Sequence, residues 1–86
     1  MSTTETQSQS TAEIIREILT QHGRLSVANV RDGDSLYGAG LTSLATVGVM
    51  LAIEDRFDIE FPESMLSRAT FASIETIAQA VEQLSG

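Results

Sequence analysis

The sequence predicts an all-α fold: a small four-helix bundle with three main helices, one short helix and a long first loop. Three observations lead to this prediction. Apolar residues recur at helical spacing in three segments of the 86-residue chain, each segment begins near a Ser or Thr that can cap a helix, and no segment alternates as a strand does. A chain of this length has room for one modest core, so the helices are expected to form one domain.

The first main helix is expected to follow a polar tail. Residues 1–10 are almost all Ser, Thr, Gln and Glu, which predicts a disordered tail, with residues 11–86 as the folded domain. Ser10 or Thr11 can cap the helix, and apolar residues then repeat at helical spacing. Gly23 is the expected end of a helix of about three turns.

The next segment is predicted to be a long loop. Residues 24–42 show no lasting period, and their scattered apolar side chains are expected to pin them to the core. The Asp-Gly-Asp run at 32–34 invites interpretation as a calcium loop. That interpretation fails because Leu36 stands at an expected ligand position and Ser43 stands where the closing Glu should be.

The second main helix, predicted over residues 43–57, has apolar residues on two opposite faces. The first stripe has the spacing of a core-facing surface and comprises Thr46, Val49, Met50, Ile53 and Phe57. The second stripe is offset by two residues, about 200° around a helix. It comprises Leu44, Val47, Gly48, Leu51 and then Asp55, with Glu54 beside it. Either another segment covers the second stripe or it binds a partner. The short chain leaves little material to cover it, which favours a partner-binding surface.

The rest of the chain is predicted to hold a short helical turn and the last helix. Pro62 can begin the turn at residues 63–68, in which Met65 and Leu66 are expected to pack inward. Thr70 is the expected cap of the last helix, whose apolar residues repeat at helical spacing to the end of the chain.

Composition excludes several classes of function. There is no cysteine, which rules out disulfides, thiol catalysis and zinc clusters held by cysteine. Twelve acidic residues against five arginines give a net charge of −7, which argues against binding to nucleic acid. No stretch has the length and apolarity to span a bilayer, and the N-terminus does not look like a signal peptide. A cytoplasmic protein is the expectation.

Three runs of residues carry a resemblance to a known family. The segment Leu-Tyr-Gly-Ala-Gly-Leu-Thr-Ser-Leu at 36–44, the Glu-Asp-Arg-Phe at 54–57 and the Ile-Glu-Phe-Pro at 59–62 resemble the acyl carrier protein family. The resemblance covers roughly residues 11–84. It implies that Ser43 carries 4′-phosphopantetheine through a phosphodiester and that the terminal thiol of this arm holds cargo as a thioester.

A second serine competes for this role. Asp-Ser-Leu at 34–36 spells the tripeptide found at the modified site of many carriers, which points to Ser35. Pro62, however, lies 19 residues after Ser43, the separation expected in the family, and 27 after Ser35. Ser35 is therefore interpreted as a loop residue.

Two departures from the family pattern bear on partners. Thr42 replaces the common Asp before the modified serine, and the early face of the helix has Ala45 and Gly48 where fatty-acid carriers usually have acids. The sequence is therefore more similar to stand-alone carriers loaded with amino acids than to carriers of fatty-acid synthesis. The resemblance implies three partners: a phosphopantetheinyl transferase, a cargo-loading ligase and a downstream transferase. The predicted partner-binding residues are Leu44, Val47, Gly48, Leu51, Glu54 and Asp55.

Other functions remain as alternatives. The first is a helical adaptor that binds a partner through the second stripe and is never modified. A hydrolase is the weakest alternative, because His22 is the only histidine and its place near the end of a helix suits the helix dipole. We expect a monomer that is not an enzyme, and the identity of its cargo stays open.

Overall fold

The computed structural model describes residues 10–85. Four α-helices and one turn of 3₁₀-helix are present in chain order: α1 (Thr11–His22), α2 (Leu36–Ala39), α3 (Ser43–Phe57), the 3₁₀ turn (Glu63–Met65) and α4 (Ile74–Ser85). No strand occurs within this range. The predicted all-α fold and the bounds of α3 are therefore confirmed. Residues 1–9 of the predicted tail lie outside the described part of the chain.

Helix α1 begins and ends where its local sequence predicts. The hydroxyl of Ser10 accepts a hydrogen bond of 3.1 Å from the backbone N–H of Glu13, whose carboxylate accepts one of 3.2 Å from the backbone N–H of Ser10. This reciprocal pair is a capping box, which satisfies two of the free N–H groups at a helix start. At the other end the Gly23 N–H donates to the Leu19 carbonyl at 2.9 Å.

The core lies where α1, α3 and α4 pack together. Helix α1 contacts both α3 and α4. The side chains that are completely or almost completely buried come from these helices and from α2: Ile15, Leu19, Leu36, Val49, Ile53, Ile74, Ile77 and Val81. Apolar burial of this kind is the main stabilising contribution in a small domain.

The loop between α1 and α3 is pinned to the core as predicted, since Leu25, Val27 and Leu41 are buried. The prediction was wrong in one respect, because the loop contains helix α2. The hydroxyl of Ser35 caps this helix, so Ser35 is an N-cap and not an ordinary loop residue. A helix of four residues is too short to leave a periodic pattern, and its place is set by a tertiary contact in which the Leu36 N–H donates to the Ala72 carbonyl at 2.7 Å.

The predicted start of the last helix was also wrong. Helix α4 begins at Ile74, and Thr70 lies in a preceding turn. The hydroxyl of Ser73 accepts a hydrogen bond of 3.1 Å from the Thr76 N–H, and the Thr76 hydroxyl accepts one of 3.0 Å from the Ser73 N–H. Ser73 thus takes the capping role that had been assigned to Thr70.

The segment between α3 and α4 differs from prediction at one side chain. Phe61 is buried against Phe71 in an edge-to-face pair with ring centroids 5.4 Å apart. Met65 is half-buried, as expected of a side chain packed inward, but Leu66 is 49% exposed. The 3₁₀ turn ends at Met65, so Leu66 lies outside it. No helix among residues 10–85 is long and apolar enough to cross a membrane.

Candidate functional site

Ser43 is exposed and is the first residue of α3. It does not cap the helix. Thr42 does so, with its hydroxyl accepting a hydrogen bond of 3.0 Å from the Ala45 N–H. Among residues 10–85, none forms a hydrogen bond with the Ser43 hydroxyl. The serine is therefore free to react while its neighbour satisfies the helix end.

The backbone that presents Ser43 is held firmly on its N-terminal side. Gly40 adopts a φ of +121°, which residues with a side chain rarely adopt, and its N–H donates to the Tyr37 carbonyl at 3.1 Å. Leu41 is 4% exposed, and its N–H donates to the Leu36 carbonyl at 2.9 Å. The Gly-Leu pair thus turns the chain out of α2 and anchors it immediately before α3.

The competing serine is engaged differently. The hydroxyl of Ser35 accepts a hydrogen bond of 3.0 Å from the Gly38 N–H as the cap of α2. A reaction at this oxygen would compete with that cap. The two serines are therefore distinguished by their hydrogen bonds, in addition to their register with Pro62.

A cleft of about 340 Å³ opens beside Ser43. Residues of α2, α3 and the segment before α4 form its walls, which are mostly apolar. The lining residues are Tyr37, Ser43, Thr46, Val47, Met50, Leu66, Ser67, Arg68 and Phe71. The site therefore combines an exposed, unbonded hydroxyl with an open, largely apolar groove.

Comparisons with known proteins agree with this geometry. A family model described as the phosphopantetheine attachment site matches residues 12–81. The chain is 50% identical over 70 residues to the aminoacyl carrier protein of Agrobacterium fabrum, covering 79% of this chain and 84% of that protein.

Two solved structures share the fold. One is a crystal structure of an engineered glycine:carrier protein ligase from Bradyrhizobium japonicum in complex with a carrier protein from Agrobacterium tumefaciens and ATP. The match has a TM-score of 0.82 at 46% identity and covers 86% of this chain and 99% of that chain. The other is the solution structure of a holo acyl carrier protein from Nitrosomonas europaea, with a TM-score of 0.75 at 29% identity, covering 84% of this chain and 92% of that chain.

This chain belongs to the phosphopantetheine carrier family. Membership confirms the predicted family, its covalent cofactor and its role as a carrier that is not an enzyme. The similarity to aminoacyl carrier proteins agrees with the predicted preference for an aminoacyl role over fatty-acid synthesis. Membership in a family with a phosphopantetheine attachment site argues against the alternative of an adaptor that is never modified.

The residues beside Ser43 fit the carrier's phosphopantetheine group. The Ser43 hydroxyl is exposed and able to form a phosphodiester, and the cleft of about 340 Å³ offers an apolar wall to a flexible arm. The first turn of α3 contains no acidic residue that would repel a phosphate. Arg68 adds a positive charge to the lining of the same cleft.

The second stripe of the carrier is exposed on α3. Leu44 is 85% exposed, Val47 is 51% exposed and Leu51 is 55% exposed. Gly48, the fourth apolar position of this stripe, is half-buried. A Cβ at this position would lie 3.8 Å from the His22 carbonyl, so Gly48 faces the end of α1 more than open solvent. Leu66 is the remaining large apolar side chain exposed in the described range, and the sequence prediction missed it.

The two acids at the end of the second stripe have different surroundings. Asp55 is exposed. Glu54 is half-buried, and its carboxylate accepts a hydrogen bond of 2.9 Å from the Phe61 N–H. Glu54 therefore joins α3 to the segment that follows it, whereas Asp55 presents its charge to solvent. The assignment of both to partner binding stays a prediction.

Asp32 and Asp34, which were considered as calcium ligands, instead form contacts with other residues of the fold. Asp32 forms an ion pair of 2.8 Å with Arg16, and the carboxylate of Asp34 accepts a hydrogen bond of 3.0 Å from the Arg31 N–H. Within residues 10–85 no group of three or more His, Cys, Asp or Glu residues is placed to hold a metal ion. The Arg16–Asp32 ion pair and the Arg31–Asp34 hydrogen bond hold the loop before α2 in place.

Proposed function

We propose that this carrier bears 4′-phosphopantetheine on Ser43 and holds a small amino acid, glycine or one of similar size, as a thioester on that arm. The observation that supports Ser43 is its exposed hydroxyl, which forms no hydrogen bond with residues 10–85 and lies beside an apolar cleft. The similarity to a carrier seen with a glycine:carrier protein ligase supports the class of cargo.

The residues around Ser43 position it and do not activate it. Thr42 caps α3, and Gly40 and Leu41 hold the approach to the helix. No side chain in the described range is within hydrogen-bonding contact of the Ser43 hydroxyl to take its proton. The modifying enzyme must therefore supply the base. When bound, the cofactor supplies a thiol at the end of a flexible arm, which holds the amino acid as a thioester.

Three enzymes would act on this carrier in turn. A phosphopantetheinyl transferase attaches the arm, an amino acid:carrier protein ligase loads it, and a downstream transferase receives the amino acid. All three would approach the exposed apolar residues Leu44, Val47 and Leu51, with Asp55 at the edge. Apolar anchors at the centre and charges at the rim are the usual arrangement of such surfaces. A cytoplasmic monomer suits a carrier that must dissociate from each enzyme.

The attachment site is tested by intact mass. The protein is incubated with coenzyme A, magnesium and a broad-specificity phosphopantetheinyl transferase, with Ser43→Ala and Ser35→Ala in parallel. We expect a gain of one phosphopantetheine in the wild type and in Ser35→Ala, and no gain in Ser43→Ala. If Ser43→Ala gained the mass of one phosphopantetheine and Ser35→Ala did not, the attachment site would be Ser35.

The cargo is tested with the modified protein. It is incubated with ATP, a glycine:carrier protein ligase and each of several labelled amino acids, and bound label is then released with hydroxylamine, which cleaves thioesters. Loading with glycine or alanine, and none with large amino acids, is the expected result. If the protein accepted only fatty acyl groups from an acyl-loading enzyme, the aminoacyl assignment would be wrong.

A further inference from the structure

Arg68 is tied to Tyr37 by two separate contacts. The carbon of its guanidinium lies 3.8 Å from the centroid of the Tyr37 ring, and the Tyr37 hydroxyl donates a hydrogen bond of 3.1 Å to the Arg68 carbonyl. Stacking on an aromatic face suits the planar guanidinium. An exposed arginine would normally sample many rotamers, so the ring contact restricts the guanidinium, while the hydrogen bond holds the Arg68 backbone beside Tyr37.

Within residues 10–85, Arg68 is also the only charged residue in the lining of the cleft beside Ser43. No carboxylate in the described range lines that cleft, so its charge is not neutralised there. Arg16 offers a contrast, because its guanidinium already pairs with Asp32 at 2.8 Å. Arg68 is thus held against Tyr37 beside Ser43, and its guanidinium donors remain available to an anion that enters the cleft.

We propose that Arg68 is a positioning residue that binds the phosphodiester of the cofactor carried by Ser43. This inference rests on the proposed function. The phosphodiester carries one negative charge, and the guanidinium can donate two parallel hydrogen bonds to two phosphate oxygens. Tyr37 acts through Arg68, since its ring fixes the plane in which the guanidinium lies.

The position of Arg68 has a consequence for the arm. Binding of the phosphodiester on the side of the cleft that holds Arg68 directs the arm along the apolar lining formed by Met50, Leu66 and Phe71. Because Arg68 is exposed, water and salt screen the interaction, and its strength is that of a surface ion pair. Such a contact biases the arm towards the cleft and still allows it to leave for a partner enzyme.

The direct test compares the apo and holo forms of ¹⁵N-labelled protein by NMR. The Nε–Hε group of each arginine gives its own resonance. Addition of the cofactor is expected to shift the Arg68 resonance and to slow its exchange with water, while the resonance of Arg56 stays unchanged. Arg56 is a matched reference because it is exposed, lies in the last turn of α3 and does not line this cleft.

A second measurement uses thermal unfolding of the apo and holo forms in the wild type, Arg68→Gln and Arg56→Gln. We expect modification to raise the folding equilibrium constant roughly 1.5- to 5-fold in the wild type and in Arg56→Gln, as a surface ion pair would. The gain should be lost in Arg68→Gln and at high salt. Equal gains in all three proteins would overturn the proposal.

The two hypotheses fail in different ways. Absence of any mass gain in the wild type would contradict the attachment of the cofactor itself. A normal mass gain with an unchanged Arg68 resonance would leave the carrier function intact and overturn the role of Arg68. Circular dichroism of apo Arg68→Gln checks that the exposed substitution has left the helices in place.

Discussion

The hydroxyl of Thr42 accepts a hydrogen bond of 3.0 Å from the backbone N–H of Ala45 and so caps α3. This one contact separates two tasks that adjacent hydroxyl side chains could both perform. Thr42 satisfies the helix end, and Ser43 remains exposed and without a hydrogen bond to the described residues. The stability of the helix start and its chemistry can therefore be changed independently.

The first prediction concerns this division of roles. Thr42→Ala removes the cap and should lower the free energy of unfolding by about 1 kcal/mol, within the usual range for a lost N-cap. Ser43→Ala should change it by less than about 0.5 kcal/mol, as expected for an exposed side chain without partners. Urea denaturation of the two unmodified variants measures both values. A larger loss in Ser43→Ala than in Thr42→Ala would show that the serine, and not the threonine, supports the helix.

The second prediction concerns the exposed apolar residues of α3. Leu44→Ala should reduce kcat/KM of the loading ligase by roughly 5- to 30-fold, which corresponds to about 1–2 kcal/mol for a central anchor of an interface. Its stability should remain nearly unchanged, because Leu44 is 85% exposed. Steady-state loading of the holo protein provides the measurement.

The control for Leu44 is a buried residue of the same helix. Ile53 is fully buried, so Ile53→Ala should lower the free energy of unfolding by about 2–5 kcal/mol through loss of packing. If Leu44→Ala lost stability on the same scale, its effect on loading would not indicate a docking surface.

The third prediction separates Glu54 from Asp55. Glu54→Ala leaves the Phe61 N–H without its acceptor and should cost about 1–3 kcal/mol of stability, the penalty for an unsatisfied donor that is partly buried. Asp55→Ala should change stability by less than about 0.5 kcal/mol. Thermal and urea unfolding of both variants gives the comparison. Equal stabilities would mean that the Glu54–Phe61 contact contributes little in solution.

The fourth prediction concerns the start of α4. Ser73→Ala removes the acceptor for the Thr76 N–H and should lower the free energy of unfolding by about 1 kcal/mol. Thr70→Ala removes only a hydroxyl contact of 3.3 Å with Ser67, so its effect should be below about 0.5 kcal/mol. The reverse order in denaturation experiments would support Thr70 as the functional cap.

Much of the fold could be predicted because its signals are local. Ser10 and Glu13 form a capping box within one turn, and Gly23 ends α1. The apolar residues of α1, α3 and α4 repeat at helical spacing, and this repeat can be recognised without knowing what each helix packs against. These features depend on residues three or four apart, which any single sequence displays.

The sequence by itself determined the presence of the three main helices, the two apolar stripes of α3 and the family to which the carrier belongs. Tertiary structure alone decided the existence of α2, whose first N–H is satisfied by the distant Ala72 carbonyl, and the exposure of Leu66 beside the cleft. It also decided which side chains are engaged. Ser43 is free, Glu54 is held by Phe61 and Arg68 is held by Tyr37. The physical reason is that the Leu36–Ala72 and Tyr37–Arg68 contacts join segments distant in the chain, so they form only after the core has brought the segments together.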